Sequence, residues 1–153
     1  VEIEPTIDIK IDAYIDSSYI PHEAHKIEFY KKIVAIEDRQ DKFEVEDELI
    51  DRFGDMPHEV QTLIDISYIR ALAKQIGIGE ISERDKKIVF KMAGDVELSP
   101  NIIMVILNEY RKVLVYRSYP VPVFTLKMVN IAPKAVLDLI EEILERILQV
   151  QQE

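Results

Sequence analysis

Cysteine is absent from this 153-residue chain. That excludes disulfides, thiolate zinc sites and a cysteine nucleophile, and it accords with a reducing compartment. Glycine is scarce: the four residues, at 54, 77, 79 and 94, are scattered, so no glycine-rich loop is available to cradle a phosphate. No apolar run approaches the roughly 18 residues needed to cross a bilayer, and no signal-peptide pattern is present. The three histidines, His22, His25 and His58, have no recognised metal-ligand spacing, and structural surface roles are expected for them. Ser17, Ser18 and Ser67 lack the strand–turn–helix setting of a nucleophile elbow. The expectation is a non-enzymatic chain with no cofactor, no metal and no membrane contact.

What is present is apolar and acidic. The hydrophobic fraction of 48% suits a true core, and a domain of this length buries roughly 70% of its unfolded surface. Length alone implies one domain, residues 1–153. The chain opens on Val1 rather than Met, which raises the expectation of a fragment of something longer. Acidic residues number 29 against 19 basic ones, for a net charge of −10. Such a domain repels phosphate backbones and is a poor candidate for binding DNA by itself. The acid serves either solubility or a patch for a basic protein partner.

Residues 7–15 alternate, with Ile7, Ile9, Ile11, Ala13 and Ile15 on one side and Asp8, Lys10, Asp12 and Tyr14 on the other. Period two predicts a half-buried strand. Helical spacing predicts helices over about Glu23–Ile36, Asp41–Phe53 and Pro57–Ile76, with Asp38–Gln40 breaking the pattern between the first two and the last closing at Gly77. Short strands follow at Glu80–Ser82 and Lys87–Met92, then a helix from Pro100 and a strand at Val113–Arg117. Tyr119-Pro120-Val121-Pro122 reads as a connection. Phe124, Leu126 and Met128 mark another strand, and Pro133 opens a long helix with Val136, Leu137, Ile140, Ile143, Leu144, Ile147 and Leu148 on one face. The N-terminal strand needs partners, and the later strands are the ones on offer. The predicted class is α+β: one mixed sheet of four to five strands including the first, packed with about five helices from both halves of the chain.

Glu48-Leu49-Ile50-Asp51-Arg52-Phe53-Gly54-Asp55-Met56-Pro57 is the most informative stretch. It reads as a helix with an apolar face, a stop at Gly54 in the left-handed conformation, and a second helix whose first turn Pro57 pre-sets. At about 100° per residue, Val45, Leu49, Ile50 and Phe53 occupy an arc of roughly 140°. Glu44, Glu48 and Asp51 occupy a separate arc of roughly 60°, which Asp55 continues if the helical turn extends. Like charges at this spacing cost a few tenths of a kcal/mol per pair, and late in a helix they oppose the macrodipole. The stripe is either a solvated face or a docking surface. Arg52, flanked by Asp51 and Asp55, reads as a local ion pair or a favourable charge at the helix C-terminus. Tyr14, Tyr19, Tyr30 and Tyr68 read as core-edge tyrosines or an aromatic surface.

The stretch E-L-I-D-R-F-G-x-x-P also resembles the C-terminal domain of bacterial transcription-repair coupling factors. Ile9-Lys10-Ile11-Asp12-Ala13-Tyr14-Ile15 with Ser18-Tyr19-Ile20-Pro21 is similar to that family's extended leading segment. Lys26-Ile27-Glu28-Phe29-Tyr30-Lys31-Lys32-Ile33 and Ile69-Arg70-Ala71-Leu72-Ala73-Lys74-Gln75-Ile76-Gly77-Ile78 are similar to two of its helices. The pieces keep family order over residues 6–78; residues 79–153 resemble the family only in pattern. Asp16 stands where the family often has Pro, implying a looser turn, and Lys26 stands where it usually has Arg. The resemblance implies a non-catalytic regulatory domain of a larger cytoplasmic translocase, whose motor domains bind ATP and Mg. It implies that this domain clamps a UvrB-like N-terminal module of the same protein through arginines. The clamp would mask the UvrA-binding surface until RNA polymerase is engaged in transcription-coupled repair. Glu48 and Asp51 would be the acids that meet those arginines, with Glu44, Asp55 and Arg52 beside them. A free-standing acidic adaptor without a masking role is the alternative.

Overall fold

The computed structural model describes residues 4–127 and 131–153. Among them lie five helices and one five-stranded mixed sheet, the predicted α+β class. The chain divides into two compact units: residues 11–71 form one, and residues 1–10 with 72–153 form the other.

The contiguous unit is helical. Helix α1 spans Glu23–Val34, α2 spans Arg39–Phe53, and α3 spans His58–Ile76, its last turn belonging to the other unit. Asp38, expected to break the pattern, instead caps α2: its carboxylate accepts from Asp41 N–H at 2.8 Å while Asp41 accepts from Glu37 N–H at 3.0 Å. This reciprocal cap starts α2 two residues before the predicted Asp41. Pro57 sits one place earlier than predicted: its carbonyl accepts from Val60 and Gln61 N–H, so it caps α3 rather than occupying the first turn. Ile15, Ile20, Phe29, Ile33, Leu49, Val60, Ile64 and Ile69 fill the core of this unit.

Two polar contacts tie it together from inside. Ser67 donates to the Ile33 carbonyl at 2.6 Å, and Asp65, 0% exposed, meets Lys42 Nζ at 3.2 Å. The leading segment is better fixed than predicted. Asp16 accepts from Ser17 N–H at 2.9 Å and Ser18 Oγ at 2.6 Å, and its carbonyl takes Tyr19 and Ile20 N–H. The Ser18 hydrogen bond, with help from Ser17 and Lys26, holds the Asp16 carboxyl below its usual range. The looser turn expected from the missing proline is therefore not found; side-chain hydrogen bonds supply the constraint.

The discontinuous unit carries the sheet, with strands β1 (Thr6–Asp8), β2 (Ile78–Arg84), β3 (Lys87–Met92), β4 (Leu114–Arg117) and β5 (Val123–Lys127). Their order is β1-β2-β3-β5-β4; β1 joins β2 in parallel and every other pairing is antiparallel. The first strand does join the later ones, but its ladder ends at Asp8, far short of the predicted Ile15. Met128, expected in β5, lies outside the described residues. Gly77 ends α3 with φ of 97°, and a Cβ there would sit 2.6 Å from Val96 Cγ1, so only glycine fits. Helix α4 spans Pro100–Glu109 and α5 spans Pro133–Gln151, each with proline in its first turn. Ser99 caps α4, accepting from Ile102 N–H at 3.2 Å. Arg146 of α5 clasps Glu109 of α4 through Nε and Nη2, and Tyr110 donates to Glu142 at 2.8 Å.

Candidate protein-docking surface

The acidic stripe lies on α2 in the contiguous unit, and the fold divides it. Glu48 is turned toward α1. Lys32 Nζ donates to both its oxygens, at 2.9 and 2.8 Å, and also meets Glu28 at 3.0 Å. Arg52 Nη1 lies 3.1 Å from Glu28 and 3.4 Å from Glu48, closing a four-residue network. The partners of Arg52 are thus Glu28 and Glu48, not its sequence neighbours Asp51 and Asp55. Its guanidinium also stacks 5.1 Å from the ring centres of Phe29 and Phe53. Hydrogen bonds from Lys32 and then Arg52 hold the Glu28 carboxyl low, and Glu48 followed by Glu28 raises the Lys32 ammonium.

Asp51 is exposed and makes no ion pair among the described residues. Glu44 is exposed as well, receiving one hydrogen bond from Gln40 at 3.1 Å. Asp55 is exposed but does not continue the stripe. Gly54 has φ of 85° and ψ of −166°, which takes the chain out of the helical path after Phe53. The positive φ is as expected, but the left-handed helical ψ expected with it is not found; this extended, positive-φ region is open almost solely to glycine. The corner is pinned by Tyr19, whose hydroxyl donates to the Gly54 carbonyl at 2.8 Å. Burial, then the charge of Asp55, pushes the Tyr19 phenol up.

The apolar arc of α2 is narrower than the spacing implied. Val45 and Leu49 are buried, but Ile50 is 46% exposed and Phe43 is 61% exposed. Around the helix, Ile50, Phe43, Asp47, Asp51 and Glu44 follow one another at about 100° per residue over roughly 120° of exposed surface. Phe43 and Asp47 lie outside the stripe of Glu44, Glu48 and Asp51 read from the sequence; an aromatic on the far side of an amphipathic helix was the available signal. On the other flank, Lys32, Ala35, Asp41, Glu44, Val45 and Glu48 line an open groove of ≈ 300 Å³. Three carboxylates around one ammonium leave this groove net negative. No group of three or more His, Cys, Asp or Glu among the described residues is placed to hold a metal ion.

The histidines stand apart from this face. His22 and His25 stack edge to face at 5.4 Å, His25 also nears Phe53 at 6.3 Å, and His58 Nε2 lies 3.2 Å from Glu59. The tyrosines form no common surface: Tyr19 and Tyr68 are buried, Tyr30 accepts from Ile15 N–H at 2.9 Å, and Tyr14 is exposed.

The sequence profile of the TRCF domain matches residues 9–103, more than half of the chain. The chain belongs to the TRCF domain family. The matched span carries the whole α2 stripe and the Gly54 corner. Among its relatives, the transcription-repair-coupling factor of Staphylococcus epidermidis is 43% identical over 82 residues, 54% of this chain and 7% of that protein. That of Staphylococcus haemolyticus is 39% identical over 85 residues, 56% and 7% respectively. That of Staphylococcus aureus is 42% identical over 83 residues, 54% and 7%. The aligned part is thus a small fraction of each relative's length. A crystal structure of the C-terminal domain of transcription-repair coupling factor superposes with a TM-score of 0.86, covering 97% of this chain and 95% of that one at 24% identity. The TRCF domain fold therefore extends over residues beyond 103, where the sequence carried only pattern. In this TRCF domain, as the geometry has it, the exposed α2 surface is the part of the motif that packing does not consume.

Proposed function

We propose that this TRCF domain is a non-catalytic regulatory module of a larger cytoplasmic bacterial protein that couples transcription to DNA repair. It clamps a UvrB-like module of the same protein and masks the surface offered to UvrA until RNA polymerase is engaged. Within the parent, an intramolecular contact gains from high effective concentration, so a few modest pairs hold it closed. Arginine–carboxylate pairs suit an exchangeable clamp because they give orientation and specificity.

The observation that carries this reading is the division of the α2 stripe. Lys32 and Arg52 already neutralise Glu48, whereas Asp51 is exposed and unpaired among the described residues, next to exposed Phe43 and Ile50. Asp51 is then the primary contact for a partner arginine. Glu48 is the second, reached by an arginine that competes with Lys32 at the groove. The apolar pair supplies the desolvation that makes such pairs strong.

The test uses the full-length parent. Asp51→Ala, alone and with Glu48→Ala, is compared with wild type for UvrA affinity and ATPase rate. Loss of one desolvated pair costs roughly 2 kcal/mol, so the variants should bind UvrA more tightly and hydrolyse ATP faster. Charge reversal at Asp51 should be rescued by reversal of the partner arginine. If both assays match wild type for the double variant, the masking reading fails and an acidic adaptor role replaces it.

A further inference from the structure

The sheet has a second face whose charge is opposite to that of the domain. The ladder registers align Arg84, Lys87 and Lys127 in one row across β2, β3 and β5. They align Glu80, Lys91, Val123 and Arg117 in another, across β2, β3, β5 and β4. Between the rows run Asp8, Ser82, Val89, Thr125 and Val115. The opposite face carries Ile81, Ile88, Phe90, Leu114, Phe124 and Leu126, all buried; on this face Ser82 and Val123 are buried too, and the exposed part is the cations with Val115 and half-buried Val89 and Thr125. All five cations are exposed, and none makes an ion pair among the described residues, even Lys91 directly opposite Glu80. On a chain of net charge −10, this face sets five cations against two carboxylates.

Like charges directly opposite one another destabilise a sheet. Basic side chains are common on edge strands, where they prevent sheet-to-sheet pairing. That reason does not apply to Lys87, Lys91 and Lys127, because β3 and β5 are interior strands; Arg84 lies beyond the end of the β1 ladder. We infer that this face docks an acidic protein segment: an amphipathic helix with acids on both flanks and an aliphatic ridge between them. The cation rows lie four residues apart along β3, or about 13 Å, close to the width of a helix with its side chains. The strip between them is Val89, Thr125 and Val115, the last 46% exposed. Single-stranded nucleic acid fits less well. Sheet surfaces that bind it offer stacking rings, and here Phe90, Phe124 and Tyr116 all belong to the other register parity.

The experiment uses the whole 153-residue chain and fluorescence anisotropy at physiological salt. The probe is a labelled synthetic helical peptide with a leucine ridge flanked by glutamates; a leucine-free version, duplex DNA and oligo-dT are tested beside it. The leucine-ridge peptide should bind. Lys87→Glu with Lys127→Glu should weaken it by at least about tenfold. The charge-matched control Lys10→Glu with Lys31→Glu should stay within about twofold. Lys87→Glu alone should also raise the melting temperature, because it places a carboxylate between Arg84 and Lys127; a merely structural lysine would lower it. The proposal is overturned if the peptide does not bind, if the control variant loses binding equally, or if the leucine-free peptide binds as well. It is also overturned if either nucleic acid binds as tightly as the peptide, since the face would then read phosphate.

Discussion

Replacing Gly54 by alanine separates backbone strain from every other effect at the α2–α3 corner. A Cβ at this position meets nothing within 4 Å, so the new methyl group clashes with no neighbour. The whole penalty is the φ of 85° with ψ of −166°, a combination that costs a non-glycine residue about 1–3 kcal/mol. For a chain of this length each kcal/mol moves the melting temperature by about 2–4 °C, so Gly54→Ala should lower it by about 2–12 °C. Gly54→Val should cost at least as much. Asparagine supplies the discriminating control. It tolerates the left-handed helical region nearly as well as glycine, but the extended positive-φ region hardly at all. Gly54→Asn should therefore melt with Gly54→Ala and not with wild type. Circular dichroism melts and urea titrations of wild type and the three variants suffice. If Gly54→Ala melts at or above wild type, the corner is not held in this conformation. If asparagine alone restores wild-type stability, the helix ends in an ordinary left-handed cap.

Two further outcomes follow from the contacts inside each unit. Lys42→Met strips the cation from fully buried Asp65 and should destabilise the chain by about 3 kcal/mol, measured by urea unfolding; a loss under about 1 kcal/mol would mean that the other contacts of Asp65 suffice. Glu109 is held below its ordinary 4.5 by the Arg146 hydrogen bond, and its folded pKa is thus depressed. Its stabilising contribution is present above pH 4.5 and is lost as the pH falls through the folded value, so Glu109→Gln should flatten the melting-temperature profile on the acid side. An unchanged acid limb would show that the pair is absent in solution.

Where sequence and structure part, the reasons are particular. The alternation of residues 7–15 is obeyed in burial: Ile7, Ile9, Ile11, Ala13 and Ile15 are half-buried or buried, while Asp8, Lys10, Asp12 and Tyr14 are exposed. Yet only Thr6–Asp8 enters a ladder. Period two reports an extended chain with one covered side, and says nothing of whether another strand lies alongside. Lys87–Met92 was legible to the residue because β-branched and aromatic positions alternate between polar turns. The start of α2 was off by two residues because its cap Asp38 was read as a break, and the end of α1 by two because buried Ile36 keeps the apolar spacing beyond the last turn. On α2, spacing located the acids but not their pairing. That Lys32 reaches Glu48 depends on how α1 and α2 pack, and no periodicity within either helix encodes it. Ile50 lies at the edge of its apolar arc, where period alone does not decide between core and solvent.

The parallel pairing of β1 with β2 bears on the order in which this chain acquires its structure. Thr6 pairs with Glu80, a separation of 74 residues, and the intervening chain contains the whole contiguous unit. Closing a flexible loop of that length costs about 4 kcal/mol in chain entropy, against a return of three paired residues. During synthesis residues 11–71 emerge complete and are able to condense first, whereas the N-terminal strand must wait for residues 78–84 to leave the ribosome. Strand β1 is therefore among the last elements to be secured. A truncation that removes β1 should spare the folding rate of the helical unit and register only in the final phase of assembly.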